Sequence, residues 1–139
     1  ELGLPQVVVP GAISILVFGA PDTVPMKYKD RKTISHSPKI TDVRINRDEQ
    51  VAVAHEMAKR LKKSKGPTVF MVPSRGYDSY SVEGMGFWEP NTDQAFVEVL
   101  KKELPPNIPV MERDQDINDP KFGEAMAHTL IEIMGRAHK

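Results

Sequence analysis

Apolar residues along this chain fall into short unbroken runs and helical stripes, separated by corners rich in proline and glycine. The clearest run is Thr68-Val69-Phe70-Met71-Val72, with Gly66-Pro67 before it and Ser74-Arg75-Gly76 after it. It has no polar alternation, which predicts a strand covered on both faces, as in a parallel sheet. Gln6-Val7-Val8-Val9, stopped by Pro10-Gly11, predicts a second short buried strand, and Ile108–Met111 a third. Ala12 to Phe18 is apolar almost throughout and fits a strand or a buried turn of helix equally well.

Helical stripes lie between these runs. Asn46 followed by Glu49 is a capping-box pattern, and Val51, Ala54, Ala58 and Leu61, with Met57 beside them, form one apolar stripe. Lys59, Arg60, Lys62 and Lys63 gather where the helix dipole favours cations, so a solvated face explains them better than a nucleic-acid site. Gly66 is expected to supply a left-handed stop, and Pro67 to bar continuation. Asn91, with Gln94 at the capping-box position, is expected to cap a second helix. Its apolar side is Phe96, Val97, Val99, Leu100 and Leu104, and Pro105-Pro106 ends it. Asp119 and Pro120 predict the start of a third helix, with a stripe of Phe122, Met126, Thr129, Leu130 and Ile133 and a stop at Gly135.

Strand and helix thus alternate, which is the signature of a parallel α/β sheet with flanking helices. Right-handed crossovers would set the loops after Val9, Val72 and Met111 on one edge, facing a common crevice. From Gly19 to Thr41 neither period survives. Pro21, Pro25 and Pro38 punctuate this stretch and Lys27, Lys29, Asp30, Arg31 and Lys32 crowd its middle. It is expected to be an ordered excursion that packs on something outside the chain or on a second copy. Val43 to Ile45 would be a short strand returning from it.

Composition narrows the class. The 139 residues make one domain or part of one, and 40% hydrophobic with 27% charged residues is ordinary for a soluble globular protein. Nineteen basic residues balance nineteen acidic ones, so no global attraction to nucleic acid or to an anionic membrane is expected. The longest apolar stretch, Val7 to Pro21, is cut by Pro10-Gly11 and is too short to span a bilayer. It follows no basic segment and does not read as a signal peptide. Absence of cysteine removes disulfides and thiolate metal sites and fits a reducing compartment, so a cytoplasmic location is expected. The chain opens on Glu1 almost directly into a strand, and is expected to be a fragment of a longer protein.

Candidate chemistry follows from the sheet. Ligands of open parallel sheets sit outside the carboxyl ends of the strands, which singles out Ser74, Arg75 and Gly76. A guanidinium there can clamp a carboxylate or phosphate bidentately, while Ser74 and the following amides add donors and Gly76 permits close backbone approach. Arg75 can equally pair with Asp116 or Glu112 across the crevice and hold the loops together. The Gly76–Pro90 loop concentrates Gly76, Gly84 and Gly86 with Tyr77, Tyr80, Phe87 and Trp88, aromatics that either fold back onto the core or meet a partner. His36, in Ser35-His36-Ser37-Pro38, is the histidine expected in a functional loop. His55 and His128 fall on predicted helices and read as surface, and His138 lies in the tail. Ser74 is not in a Gly-x-Ser-x-Gly elbow and has no histidine placed beside it, which disfavours hydrolysis. Asp114, Asp116 and Asp119 lack the glycine and terminal glutamate of a calcium loop, so no metal is assigned. Neither Gly-x-Gly-x-x-Gly nor a Walker-type loop is present. No catalytic residue is assigned and the cofactor is unknown.

Longer motifs carry a resemblance. Gly3-Leu4-Pro5-Gln6-Val7-Val8-Val9-Pro10-Gly11-Ala12, Phe18-Gly19 and Pro21-Asp22-Thr23-Val24-Pro25 open the match. Tyr28, Arg31, His36 and Pro38, the Arg75-Gly76 corner, Phe87-Trp88-Glu89-Pro90 and Ile117-Asn118-Asp119-Pro120-Lys121-Phe122 continue it. In this order they resemble the C-terminal domain of a poorly characterised two-domain family of bacteria and fungi. In plants that family includes the tomato mosaic virus resistance protein, an inhibitor of viral RNA replication. The resemblance implies a Rossmann-like α/β domain, with 1–139 as the C-terminal portion of that domain, and a further such domain before it in the full protein. It also implies ATP binding, assigned to that N-terminal domain, and makes a role in protein contact realistic. Two positions depart from the family pattern: Asp116 stands where a histidine is frequent, and Tyr77-Asp78-Ser79-Tyr80 replaces a shorter Val/Trp-Ser type of sequence.

Two functions are therefore expected as alternatives. In one, Arg75 anchors a small anionic molecule, with Ser74, Gly76, His36, Asp116 and Asn118 contributing from neighbouring loops. In the other, the chain is a non-catalytic interaction or oligomerisation domain, using Gly19–Thr41 and Tyr77–Trp88 as contact surfaces and forming a homo-oligomer.

Overall fold

The computed structural model describes residues 2–137. Its centre is strand β5 (Thr68–Pro73), every residue of which is buried. It lies between two parallel neighbours, β1 (Gln6–Val8) and β6 (Val110–Arg113), in the order β1-β5-β6. The uninterrupted apolar run thus occupies the place it requires. Phe70 and Val72 face a core built with Ala54, Ala58 and Leu61 of helix α1 (Arg47–Leu61) and Phe96, Val97 and Leu100 of helix α2 (Pro90–Glu103). The alternate residues Val69 and Met71 are buried on the other face, where helix α3 (Pro120–Ala137) packs along β5 and β1. The chain is a mixed α/β domain of Rossmann-like type, with its parallel sheet covered by helices on both sides. β1 is an edge strand and only half-buried, less covered than its sequence predicts.

The first departure lies between β1 and α1. Ala12–Phe18 resolves into strand β2 (Ile15–Phe18), and the Gly19–Thr41 excursion is ordered, as expected, but holds regular elements that its sequence does not predict. Two single turns of 3-10 helix at Pro21–Thr23 and Met26–Tyr28 lead into strand β3 (Thr33–Ser37). The two residues Pro38-Lys39 then turn the chain into strand β4 (Ile40–Arg44), longer than the Val43–Ile45 return predicted. The three strands form a second, antiparallel sheet in the order β2-β4-β3. Ion pairs tie this segment, from the excursion through β4, to the helices. Arg31 pairs with Glu49 of α1, Lys32 with Glu89 at the start of α2 (2.8 Å) and Arg44 with Asp93 of α2 (2.5 Å).

Caps explain the helix ends, with three corrections. The predicted capping box is present: Asn46 Oδ1 accepts from Glu49 N (2.9 Å) and Glu49 Oε2 accepts from Asn46 N (3.0 Å). α2 begins two residues earlier than predicted, with Glu89 as its cap and Pro90 at its first position, so Asn91 is inside the helix. α3 begins as predicted, with Asp119 Oδ1 accepting from Lys121 N (2.8 Å), but runs through Gly135 to Ala137. Gly66 is not a left-handed stop either. Its φ is not positive, and α1 ends at Leu61. What Gly66 provides is space: a Cβ there would lie 2.3 Å from the carbonyl oxygens of Gly3 and Leu4, which lead into β1. His55 lies exposed on α1 beside Glu103 (2.5 Å), and His128 is exposed on α3, while His138 lies outside the described residues.

Candidate functional site

Because β1, β5 and β6 are parallel, their carboxyl ends share one edge, and the loops that follow are tied there by backbone hydrogen bonds. Ala12 N donates to Tyr77 O (2.8 Å), Arg75 N to Gln115 O (3.1 Å) and Ile117 N to Gly76 O (3.1 Å). Gly76 makes this joint possible. Its φ is +143, and a Cβ would come within 2.8 Å of the Val82 side chain and 3.0 Å of Ser81 O. The loop after β1 carries its own strain at Ala12, a non-glycine residue at φ 51.

The Gly76–Pro90 loop then folds back over this edge. Asp78 organises its first turn, with Oδ1 accepting from Tyr80 N (2.8 Å) and Ser81 N (2.9 Å), while Oδ2 accepts from Ser14 Oγ (2.5 Å). Tyr77 and Phe87 are buried and Tyr80 and Trp88 half-buried, so most of the loop's aromatic surface belongs to the core rather than to solvent. Between this loop and the strand ends lies a cavity of about 400 Å³ lined by Arg75, Val82, Glu83, Trp88 and Asp116.

The residues singled out by sequence divide around it. Arg75 and Asp116 line the cavity. Arg75 is paired, but with Asp114 rather than Asp116 or Glu112: Nε reaches Oδ1 at 2.6 Å and Nη2 reaches Oδ2 at 3.0 Å. That hydrogen-bonded pairing raises the guanidinium's pKa and holds the Asp114 carboxyl below its ordinary range. Both side chains are largely exposed, so the pair is open to exchange with solvent or ligand. Ser74 Oγ donates to Arg113 O (2.9 Å) and serves as a strap between β5 and β6. Asp116 Oδ1 accepts from Asn118 N (2.8 Å), while Asn118 Nδ2 donates to Ser79 Oγ (3.3 Å), linking the β6 loop to the Gly76–Pro90 loop. His36 is not brought to this cavity. It lies on β3, with Nδ1 2.6 Å from Tyr80 Oη, beside a separate groove on the antiparallel sheet.

Sequence reading missed the buried polar centre that joins the two sheets. Arg44 of β4 is 2% exposed; its Nη1 donates to Ser14 O (3.3 Å) and its Nη2 to Asp93 Oδ1 (2.5 Å). Gln50 of α1 reaches the same carboxylate oxygen (3.5 Å), and Tyr77 Oη donates to Asp93 O (3.2 Å). Burial pushes the Asp93 carboxyl up to about 6, even though the Arg44 guanidinium pulls it down. Arg44 Nε and Gln50 Oε1 find no hydrogen-bond partner among the described residues. This centre holds the antiparallel sheet and the Gly76–Pro90 loop against α1 and α2, and so fixes one wall of the crevice. The signal available beforehand was modest: Asp93 falls among the apolar positions of α2 and Arg44 follows Val43.

Fold and crevice together define a Rossmann-like α/β domain with a pocket at the carboxyl edge of its parallel sheet. The chain belongs to the uncharacterised protein family UPF0261, matching its C-terminal domain over residues 1–134. It is 31% identical over 135 residues to a UPF0261 protein of Clostridium tetani, an alignment covering 96% of this chain and 33% of that protein. A UPF0261 protein of Mesorhizobium japonicum is 34% identical over 127 residues, covering 90% of this chain and 32% of that one. The ToMV resistance protein Tm-1(GCR237) of Solanum lycopersicum is 25% identical over 135 residues, 96% of this chain and 18% of its own length. The chain therefore spans about a third of the length of its bacterial relatives. Among the described residues, no helix is long and apolar enough to cross a membrane, and no group of three or more potential ligands is placed to hold a metal.

Proposed function

We propose that this domain supplies a binding site for a small, hydroxyl-bearing anionic molecule, a sugar or polyol phosphate in chemical class, at the carboxyl edge of its parallel sheet. The observation that carries this reading is the composition of the cavity. One guanidinium, two carboxylates and one indole line about 400 Å³ where the loops after β5 and β6 meet. Arg75 would exchange Asp114 for the ligand's anionic group. Glu83 and Asp116 disfavour a ligand that is anionic throughout, but accept hydrogen bonds from hydroxyls. Trp88 and Val82 offer apolar surface to a ring or chain. Screening phosphates, small carboxylates and sugar phosphates by thermal shift tests it. A hexose phosphate is expected to stabilise the protein more than either inorganic phosphate or the free hexose, and Arg75→Ala to abolish the difference. No stabilisation by any anion would refute the site.

ATP belongs, on this reading, to the part of the full-length protein outside this chain, because the chain has no glycine-rich phosphate loop. The N-terminal domain of the same protein is then the natural partner of the crevice, and a cytoplasmic setting accompanies it. An interaction or oligomerisation role is the second reading, favoured by exposed Met26 in the excursion and Met85 in the Gly76–Pro90 loop. It predicts that replacing these methionines, rather than Arg75, changes the oligomeric state.

A further inference from the structure

On the antiparallel sheet, cross-strand pairing sets Val17, Asp42 and Ile34 in one row, so their side chains share a face. Ile15 and Ile40 lie two residues from Val17 and Asp42 and belong to the same face. A groove of about 330 Å³ runs over it, with Asp42 in its wall among Ile15, Val17 and Ile40, and with His36 and Tyr80 at its side. Asp42 is 6% exposed, yet its carboxylate has neither a hydrogen bond nor an ion pair among the described residues. Its oxygens are not among the fully buried unpartnered atoms, so the carboxylate opens into the groove and is free to pair with a cation that enters it. The neighbouring cation on its own strand, Arg44, is committed to Asp93 and Ser14.

We propose that this groove is a second binding site, for a small organic ammonium with an aliphatic body. The ammonium would pair with Asp42 and lie near the Tyr80 ring, and the aliphatic part would cover Ile15, Val17 and Ile40. A hard divalent ion fits poorly, because a single carboxylate supplies too few of the six or more oxygens such an ion takes. The site is independent of the Arg75 cavity and opposite to it in charge preference.

The test is an amide-resolved NMR titration of the chain with n-butylammonium chloride, against n-butanol as the uncharged control at matched ionic strength. Saturable shifts centred on Val17, Ile40 and Asp42 are expected, with n-butanol at least about tenfold weaker. Asp42→Asn should weaken n-butylammonium at least about tenfold, whereas Arg75→Ala should leave it unchanged. Val17 is 65% exposed, so Val17→Arg tests the site without touching the core. Its own guanidinium should fill the groove and abolish the titration. Equal binding of the two probes, shifts confined to the Arg75 cavity, or full binding by Val17→Arg would overturn the proposal.

Discussion

Removing one partner of the Arg44–Asp93 pair offers the sharpest test of how the two sheets are joined. Asp93→Ala leaves the Arg44 guanidinium in place, 2% exposed, with one hydrogen bond of 3.3 Å to Ser14 O and an Nε that already lacks a partner. The guanidinium cannot shed its charge, so the cost is that of an uncompensated buried ion, about 3–5 kcal/mol. Urea unfolding measured well above pH 6, where Asp93 is charged, should show this. At a slope of about 2 kcal/mol/M the midpoint should fall by on the order of 2 M, with the slope unchanged. Replacing both partners by apolar residues, Arg44→Met with Asp93→Leu, removes the orphaned charge. It leaves only Gln50 short of an acceptor, at about 1–3 kcal/mol. The double variant should therefore be about 2 kcal/mol more stable than Asp93→Ala, a strong departure from additivity. A cost below about 1 kcal/mol for Asp93→Ala, or strictly additive single and double effects, would refute the pair as the joint between the sheets.

The same carboxyl predicts a pH dependence. Its folded pKa of about 6 lies above the ordinary 3.8, so the folded state binds the proton more tightly. Its contribution is fullest below about pH 4 and is lost as pH rises through about 6, so between pH 7 and 4 wild type should gain on Asp93→Asn by at most on the order of 3 kcal/mol, and parallel pH profiles would contradict this. Gly66→Ala should destabilise by more than about 2 kcal/mol in thermal melts, because its Cβ would meet two carbonyl oxygens at 2.3 Å; an unchanged melt would show that β1 is not held there. Asn46→Ala should cost about 1 kcal/mol through loss of the capping box, read by denaturant titration, and no loss would deny that box a role in stability.

Much of the parallel half was legible because local signals and tertiary need agree there. Thr68–Pro73 is apolar without alternation and is covered on both faces; Asn46 and Glu49 are spaced for a box and form one. The antiparallel half was not legible, for a physical reason. In β4, Thr41, Asp42 and Arg44 are polar and buried, so the strand shows no contrast between core and solvent faces. β3 carries a single apolar residue, Ile34, and the pair joining the sheets spans 49 residues of sequence. Gly66 was misjudged because a stop and a close approach both demand glycine, and only the neighbouring backbone tells them apart. For the site, the strand-end rule led to Arg75 and Asp116, which share a cavity. It could not foresee that Asp114 would take the guanidinium, or that β3 would carry His36 to another groove.

Trp88 is the only tryptophan in the chain and lines the Arg75 cavity, so its fluorescence reports directly on occupancy. Titration with a hexose phosphate is the most direct test of the proposed site. A saturable change in Trp88 emission is predicted, at least about tenfold weaker in Arg75→Ala, where a charge-assisted contact is lost. The titration should be tighter in Asp114→Ala, where the guanidinium is released from its competitor. Emission that ignores the ligand, or an Arg75→Ala titration identical to wild type, would contradict the assignment of this crevice as a binding site.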